Sequence, residues 1–113
     1  MTTNLPTRKH KRHKVDIRIK LRRLCDGEAG VFTVRSFELS EGGMSVYSSE
    51  TLEMGLHLVA EFELPEVKAQ LKVEVVVRNQ RGFRCGMQYV DLSAEHRSQI
   101  VRYLDSLADV IEI

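Results

Sequence analysis

Tryptophan is missing from this 113-residue chain, and four Phe and three Tyr are its only aromatic residues. Val, Leu, Ile and Met must therefore fill most of any interior. No apolar run approaches the ~20 residues of a helical membrane span. No hydrophobic stretch follows the charged N-terminus, so a secretory signal is not expected. Only two cysteines occur, Cys25 and Cys85, which excludes a disulfide framework and a paired-cysteine zinc motif. A reducing, cytoplasmic setting with both thiols packed is the expectation. Catalytic groupings are lacking too. No Ser-His-Asp or Cys-His set and no glycine-rich phosphate loop stands out, so an enzyme is not expected. Net charge is nearly absent, at +1, and by itself suggests no polyanionic partner.

The distribution of charge says more than its sum. Residues 1–23 hold nine of the seventeen Lys and Arg and a single acid, Asp16. The remaining residues carry eight basic and fifteen acidic side chains. A basic end on an acidic body suggests binding to phosphate or to another charged surface.

Hydropathy then divides the chain. Residues 1–14 are expected to form a flexible basic N-terminal arm, since they have no apolar periodicity. Residues 15–113 are expected to form one folded unit. Val15, Ile17, Ile19 and Leu21 alternate with Asp16, Arg18, Lys20 and Arg22, the period of a half-buried strand. Asp26-Gly27 predicts a turn. A second strand is expected over Val31 to Leu39, with either face able to turn inward. Met44 to Tyr47 predicts a short strand, and Ser48 to Gly55 a loop anchored by Leu52. Leu58 to Leu64 and Val67 to Val77 alternate again around a turn at Pro65-Glu66. Asn79 to Gly82 predicts a hairpin turn, and Phe83 to Tyr89 a last strand. The period then becomes helical, with Ile100, Leu104, Leu107 and Ile111 on one stripe and Ser93 as N-cap, predicting a helix over about 93–109. About six short strands and a terminal helix predict a mostly β fold, a small six-stranded antiparallel β-barrel with a C-terminal α-helix. So small a barrel has a packed interior, and a ligand would bind outside it.

Two stretches carry the chemistry. In T-R-K-H-K-R-H-K-V, Arg8 and Arg12 lie four residues apart, with Thr7, Lys11 and Lys14 around them. Arginine forks bind phosphate or guanine bidentately and stack on purines. In F-E-L-S-E-G-G-M, Glu38 can accept from the N1–H and N2–H edge of guanine. Ser40 offers a hydroxyl, and Gly42 and Gly43 allow close backbone approach. Read separately, the arm is a solvated tail and Ser-Glu-Gly-Gly a turn. Together they suit a ligand carrying guanine and phosphate. Arg78 could project from its strand toward the site or serve only as an exposed strand residue. His10 and His13 are expected to be solvated, since surrounding cations oppose a metal. The arm lacks aromatic stacking platforms, which argues against nucleic acid as the partner.

These residues resemble the PilZ domain family. Arg8-Lys9-His10-Lys11-Arg12 is similar to its R-x-x-x-R motif, and Glu38-Leu39-Ser40-Glu41-Gly42-Gly43 to its D/N-x-S-x-x-G motif. Val75 to Arg78 and Gly86 to Tyr89 resemble its later strands. The resemblance implies a bacterial second-messenger receptor for cyclic di-GMP, with no other cofactor and no metal. Its ligand contacts would be Arg8, Arg12, Glu38, Ser40 and Gly43, with Thr7, Lys11, Gly42 and Arg78 as further candidates. It also implies an arm that changes conformation on binding, and a signal to an unidentified downstream protein governing motility or surface attachment. The expected oligomeric state is a monomer or weak dimer. Glu38 departs from the family's Asp or Asn by one methylene. The alternative is a ligand-independent PilZ-like protein-interaction adaptor.

Overall fold

Strict alternation forces a strand to bury one set of side chains and expose the other, and several such strands can all bury their apolar sets by closing into a barrel. A computed structural model describes residues 11–24 and 30–111 and shows this solution. The elements are β1 (His13–Arg23), β2 (Val31–Leu39), β3 (Gly43–Tyr47), β4 (His57–Leu64), β5 (Ala69–Arg81), β6 (Arg84–Val90) and α1 (Ala94–Ile111). The strands close in the order β1-β2-β3-β6-β5-β4, every neighbouring pair antiparallel. Cys25 and the Asp26-Gly27 turn lie outside the described residues, as do Thr7, Arg8 and His10. His13 is not a solvated arm residue. It opens β1 opposite Leu39 and is half-buried.

The alternating residues of β1, β4 and β5 point inward as their spacing requires. Ile19, Leu21, Leu58, Ala60, Leu64, Val75 and Val77 are fully enclosed. The interior is solid with side chains. Burial pushes the Cys85 thiol up to about 11, which keeps it protonated and unreactive. Helix α1 adds Ile100, Tyr103 and Leu104 to the same core. Its N-terminus is capped by Ser93, whose Oγ accepts from the His96 amide at 3.0 Å. Leu52 anchors its loop in the core, and its amide donates to Gln80 Oε1 at 2.8 Å.

The β5–β6 hairpin differs from the expected one. Asn79 lies within β5, and the two turn residues are Gly82 and Phe83, between the paired Arg81 and Arg84. Gly82 has φ +60°, the left-handed conformation that a two-residue hairpin demands and glycine adopts without strain. Phe83 consequently caps the hairpin in solvent and does not begin a strand.

Three strand pairings shift register once: β1–β2 between Lys14 and Ile17, β2–β3 between Ser36 and Glu38, and β5–β6 between Val77 and Asn79. Each shift marks a β-bulge; in β2 and β5 the extra residue changes the in–out phase of those after it, whereas β1 keeps its alternation. In β2 the shift resolves the ambiguity of facing. Ser36 and Leu39 both point inward, and Phe37 and Glu38 between them are both partly open to solvent. In β5 the bulge exposes Arg78 and Asn79 together.

Strand β3 must approach β6 closely. A Cβ at Gly43 would overlap the carbonyl oxygen of Met87, a backbone atom that cannot swing aside. A Cβ at Gly86 would meet only the Asn79 side-chain amide, at 2.9 Å. Gly43→Ala should therefore cost about 3 kcal/mol of stability and Gly86→Ala less than about 1.5 kcal/mol. Urea unfolding of the two variants checks the difference, and equal losses would contradict the close-approach account.

Candidate functional site

The β2 and β5 bulges deliver side chains to one outward cavity of about 400 Å³. Its lining comprises Arg12, Glu38, Leu39, Ser40, Gly42, Gly43, Met44, Ser45, Arg78, Asn79, Gly86, Met87 and Gln88. Six of the sequence-expected residues thus meet here: Arg12, Glu38, Ser40, Gly42, Gly43 and Arg78. Lys11 is exposed but does not line the cavity. Thr7 and Arg8 fall outside the described residues.

Glu38 is held at the rim by a neighbour that the sequence did not single out. Buried Ser36 lies inside the β2 bulge, its Oγ 2.9 Å from the Glu38 carbonyl oxygen and 3.0 Å from that of Ser45. The single hydroxyl proton can serve either carbonyl beside the register shift. The Glu38 carboxylate then stands outward, accepting from Arg12 NH1 at 3.1 Å and lying 3.5 Å from Ser45 Oγ. The pair is partly open, with side-chain exposures of 38% and 27%, so water screens it and its net worth is small.

The Ser40–Gly43 segment is a closed turn. The amides of Gly42 and Gly43 donate to Ser40 Oγ at 3.1 and 3.2 Å, and the Ser40 amide donates to the Gly43 carbonyl at 2.9 Å. The Tyr89 amide donates to the Gly42 carbonyl at 3.0 Å, tying the turn to β6. Arg97 of α1 adds an ion pair to Glu41 at 3.6 Å. Ser40 thereby shapes the cavity wall through its own backbone, and Gly43 permits the β3–β6 contact. Both have structural tasks beyond any ligand contact.

On the opposite wall, Arg78 Nε donates to Gln88 Oε1 at 2.7 Å. That bond fixes the plane of the guanidinium and leaves its other donors available to the cavity. Asn79 lies across Gly86, which has no Cβ to obstruct it. Asn79, Gly86, Gln88 and Ser45 also line the cavity, and motif reasoning did not single them out. The readable signal was Gly86, since a glycine inside an alternating strand marks a bulge or close approach. Two guanidinium forks, one carboxylate, two amides and two hydroxyls around an open cavity match a ligand that offers anionic oxygens and both donor and acceptor edges. Among the described residues no group of three or more His, Cys, Asp or Glu could hold a metal ion.

The sequence matches the PilZ domain family over residues 6–106. The inhibitor of motility MotI/DgrA of Bacillus subtilis superimposes with a TM-score of 0.78 at 19% identity, covering 96% of this chain and 54% of that one. The chain therefore spans about half the length of that protein. The PilZ domain of YcgR from Escherichia coli, solved with c-di-GMP, gives a TM-score of 0.72 at 15% identity over 90% of this chain and 92% of that one. The MrkH–c-di-GMP complex of K. pneumonia gives 0.75 at 17% identity, covering 92% and 53%. At these identities the likeness is one of fold. No curated protein sequence matches the chain significantly.

The two supports of the rim should separate by unfolding. Ser36→Ala removes the buried hydroxyl that bonds the bulge and should cost about 2 kcal/mol. Glu38→Ala removes a screened ion pair and should cost less than about 1 kcal/mol. Thermal or urea melts test this, and a larger loss for Glu38→Ala would make Glu38 a structural residue.

Proposed function

The chain belongs to the PilZ domain family, and on that footing we propose that it is a bacterial second-messenger receptor that binds cyclic di-GMP and signals to a protein partner. The observation that carries this reading is the meeting of Arg12, Glu38 and the Ser40–Gly43 turn around one outward cavity. These residues come from both motif-like stretches, which folding brings to the same face. The complex of the YcgR PilZ domain with c-di-GMP supports the choice of ligand.

Arg12 and Arg8 act as the cationic clamp on phosphate and guanine, with Thr7 and Lys11 beside them. Glu38 accepts from the guanine N1–H and N2–H edge. The Ser40–Gly43 turn supplies a backbone wall, with Gly42 at its tip, and Arg78 a further cationic fork. Binding exchanges the Arg12–Glu38 pair for contacts of both side chains with the ligand. Because that pair is partly exposed, breaking it costs little. The arm closes over the ligand and changes what the partner meets. Ordering the arm consumes part of the interaction energy, so a dissociation constant on the order of 1 μM is expected. The protein binds and relays; it catalyses no reaction. MotI/DgrA, named an inhibitor of motility, supports motility or surface attachment as the process controlled.

Calorimetric titration of cyclic di-GMP into the chain and its Arg8→Ala/Arg12→Ala variant tests the receptor reading. Saturable binding that the variant loses is expected. Binding by neither protein would replace the receptor with a ligand-independent adaptor. Glu38→Asp should keep or strengthen binding, and a large loss would remove Glu38 from the guanine edge. Amides of residues 7–12 should gain hydrogen-exchange protection on saturation; unchanged exchange would rule out the clamp.

A further inference from the structure

The barrel carries a second outward feature that the cavity does not use. Strand register sets Arg18 of β1 opposite Arg35 of β2, and Arg35 opposite Tyr47 of β3. Tyr47 in turn lies opposite Arg84 of β6, and Arg84 opposite Arg81 of β5. Directly opposed residues of antiparallel strands share a face, and all five are exposed. They form one row across five strands, roughly 19 Å long at ~4.8 Å per strand spacing.

Four of the five are arginines, in two directly opposed pairs. Like charges placed so destabilise a sheet, and folding alone gives no reason to collect them. Among the described residues only Arg35 of the four has a carboxylate within salt-bridge reach, Asp16 at 2.9 Å. At the centre of the row, Phe37 stacks on Tyr47 with ring centroids 4.3 Å apart, and the Arg84 guanidinium lies 5.6 Å from the Phe37 centroid. Phe83 stands beside them at the hairpin tip, 69% exposed. Tyr47, Ser48, Ser49 and Phe83 line a shallow, largely apolar cleft.

We propose that this face docks a partner protein through an acidic segment, whose carboxylates pair with Arg18, Arg81 and Arg84 and whose apolar side chain seats between Tyr47 and Phe83. Aromatic residues and arginine are the side chains enriched where protein interfaces concentrate their energy. The charge of the row selects an acidic occupant. A single-stranded nucleic acid fits less well. It requires successive free ring faces for its bases, whereas Phe37 and Tyr47 are stacked on each other. Phe37 adjoins Glu38 in the β2 bulge, so the docking face borders the ligand cavity. Assigning this surface to the receptor's output rests on the cyclic di-GMP reading; its preference for an acidic segment does not.

The test is a selection of random twelve-residue peptides displayed on phage against the chain, with and without cyclic di-GMP. Enriched peptides are expected to carry net negative charge and at least one large apolar residue. Chemically synthesised winners should bind Phe83→Ser and Arg84→Glu variants at least about tenfold more weakly. Both substitutions are at exposed positions, and unchanged urea midpoints verify folding. Neutral or basic winners, winners that bind both variants equally, or no enrichment would overturn the proposal. So would a dT₁₂ oligonucleotide that binds more tightly than the peptides and is lost in Arg84→Glu. Cyclic di-GMP titration of the same variants keeps the two readings apart. Ligand binding without peptide binding removes the docking face alone, and peptide binding without ligand binding removes the receptor alone.

Discussion

A closed barrel of six short strands has no room inside, and that constraint governs where the chain can do chemistry. Inward positions are filled by Ile, Leu, Val and Met side chains, so a polar site must be assembled outside. Regular alternation would scatter the outward side chains evenly. The bulges concentrate them instead, setting Phe37 beside Glu38 and Arg78 beside Asn79 on the outer surface. Ser36 stabilises one of these breaks from within, and Gly43 lets the short strand β3 lie close enough to β6 to bring the two walls together.

Much of the fold was legible because most strands bury one face cleanly. The alternation through Ile17–Leu21, Leu58–Leu64 and Leu71–Val77 specifies both the strands and their inward sides. Strand β2 resisted because a bulge divides it, and no local composition marks the extra residue Phe37. The same limit displaced the last hairpin. Asn79 and Gly82 are both turn-forming residues, but the tertiary pairing carries Asn79 into β5 and leaves the turn to Gly82 and Phe83. Motif spacing located Arg12, Glu38 and the Ser40–Gly43 turn, since these are close in sequence to the elements that hold them. Asn79 and Gln88 lie outside both motif-like stretches and reach the cavity only through strand pairing.

The two arginine-bearing features illustrate different uses of the same side chain. Arg12 and Arg78 are each held by one partner, Glu38 and Gln88, and those partners aim the guanidinium forks at a cavity. The arginines of the cross-strand row are spread over the outer surface of the barrel, where water and salt screen them and mutual repulsion is only partly offset. A pocket selects a ligand by matching hydrogen-bond edges, whereas a row selects by long-range charge and then by the shape of the aromatic cleft. Separate surfaces with separate selection rules allow one small domain to receive one kind of molecule and present itself to another.

Closure of the sheet has a further effect. β1 pairs with β2 and, over Lys20–Arg23, with β4, so no strand of the ring has an edge left open along its whole length. An open edge presents unpaired amides and carbonyls that recruit any extended chain, native partner or not. Here every strand has a neighbour on both sides, and recognition passes to side chains, which evolution can alter one at a time without disturbing the scaffold. The barrel thus separates what the protein binds from what keeps it folded and from the template that would let copies of it aggregate.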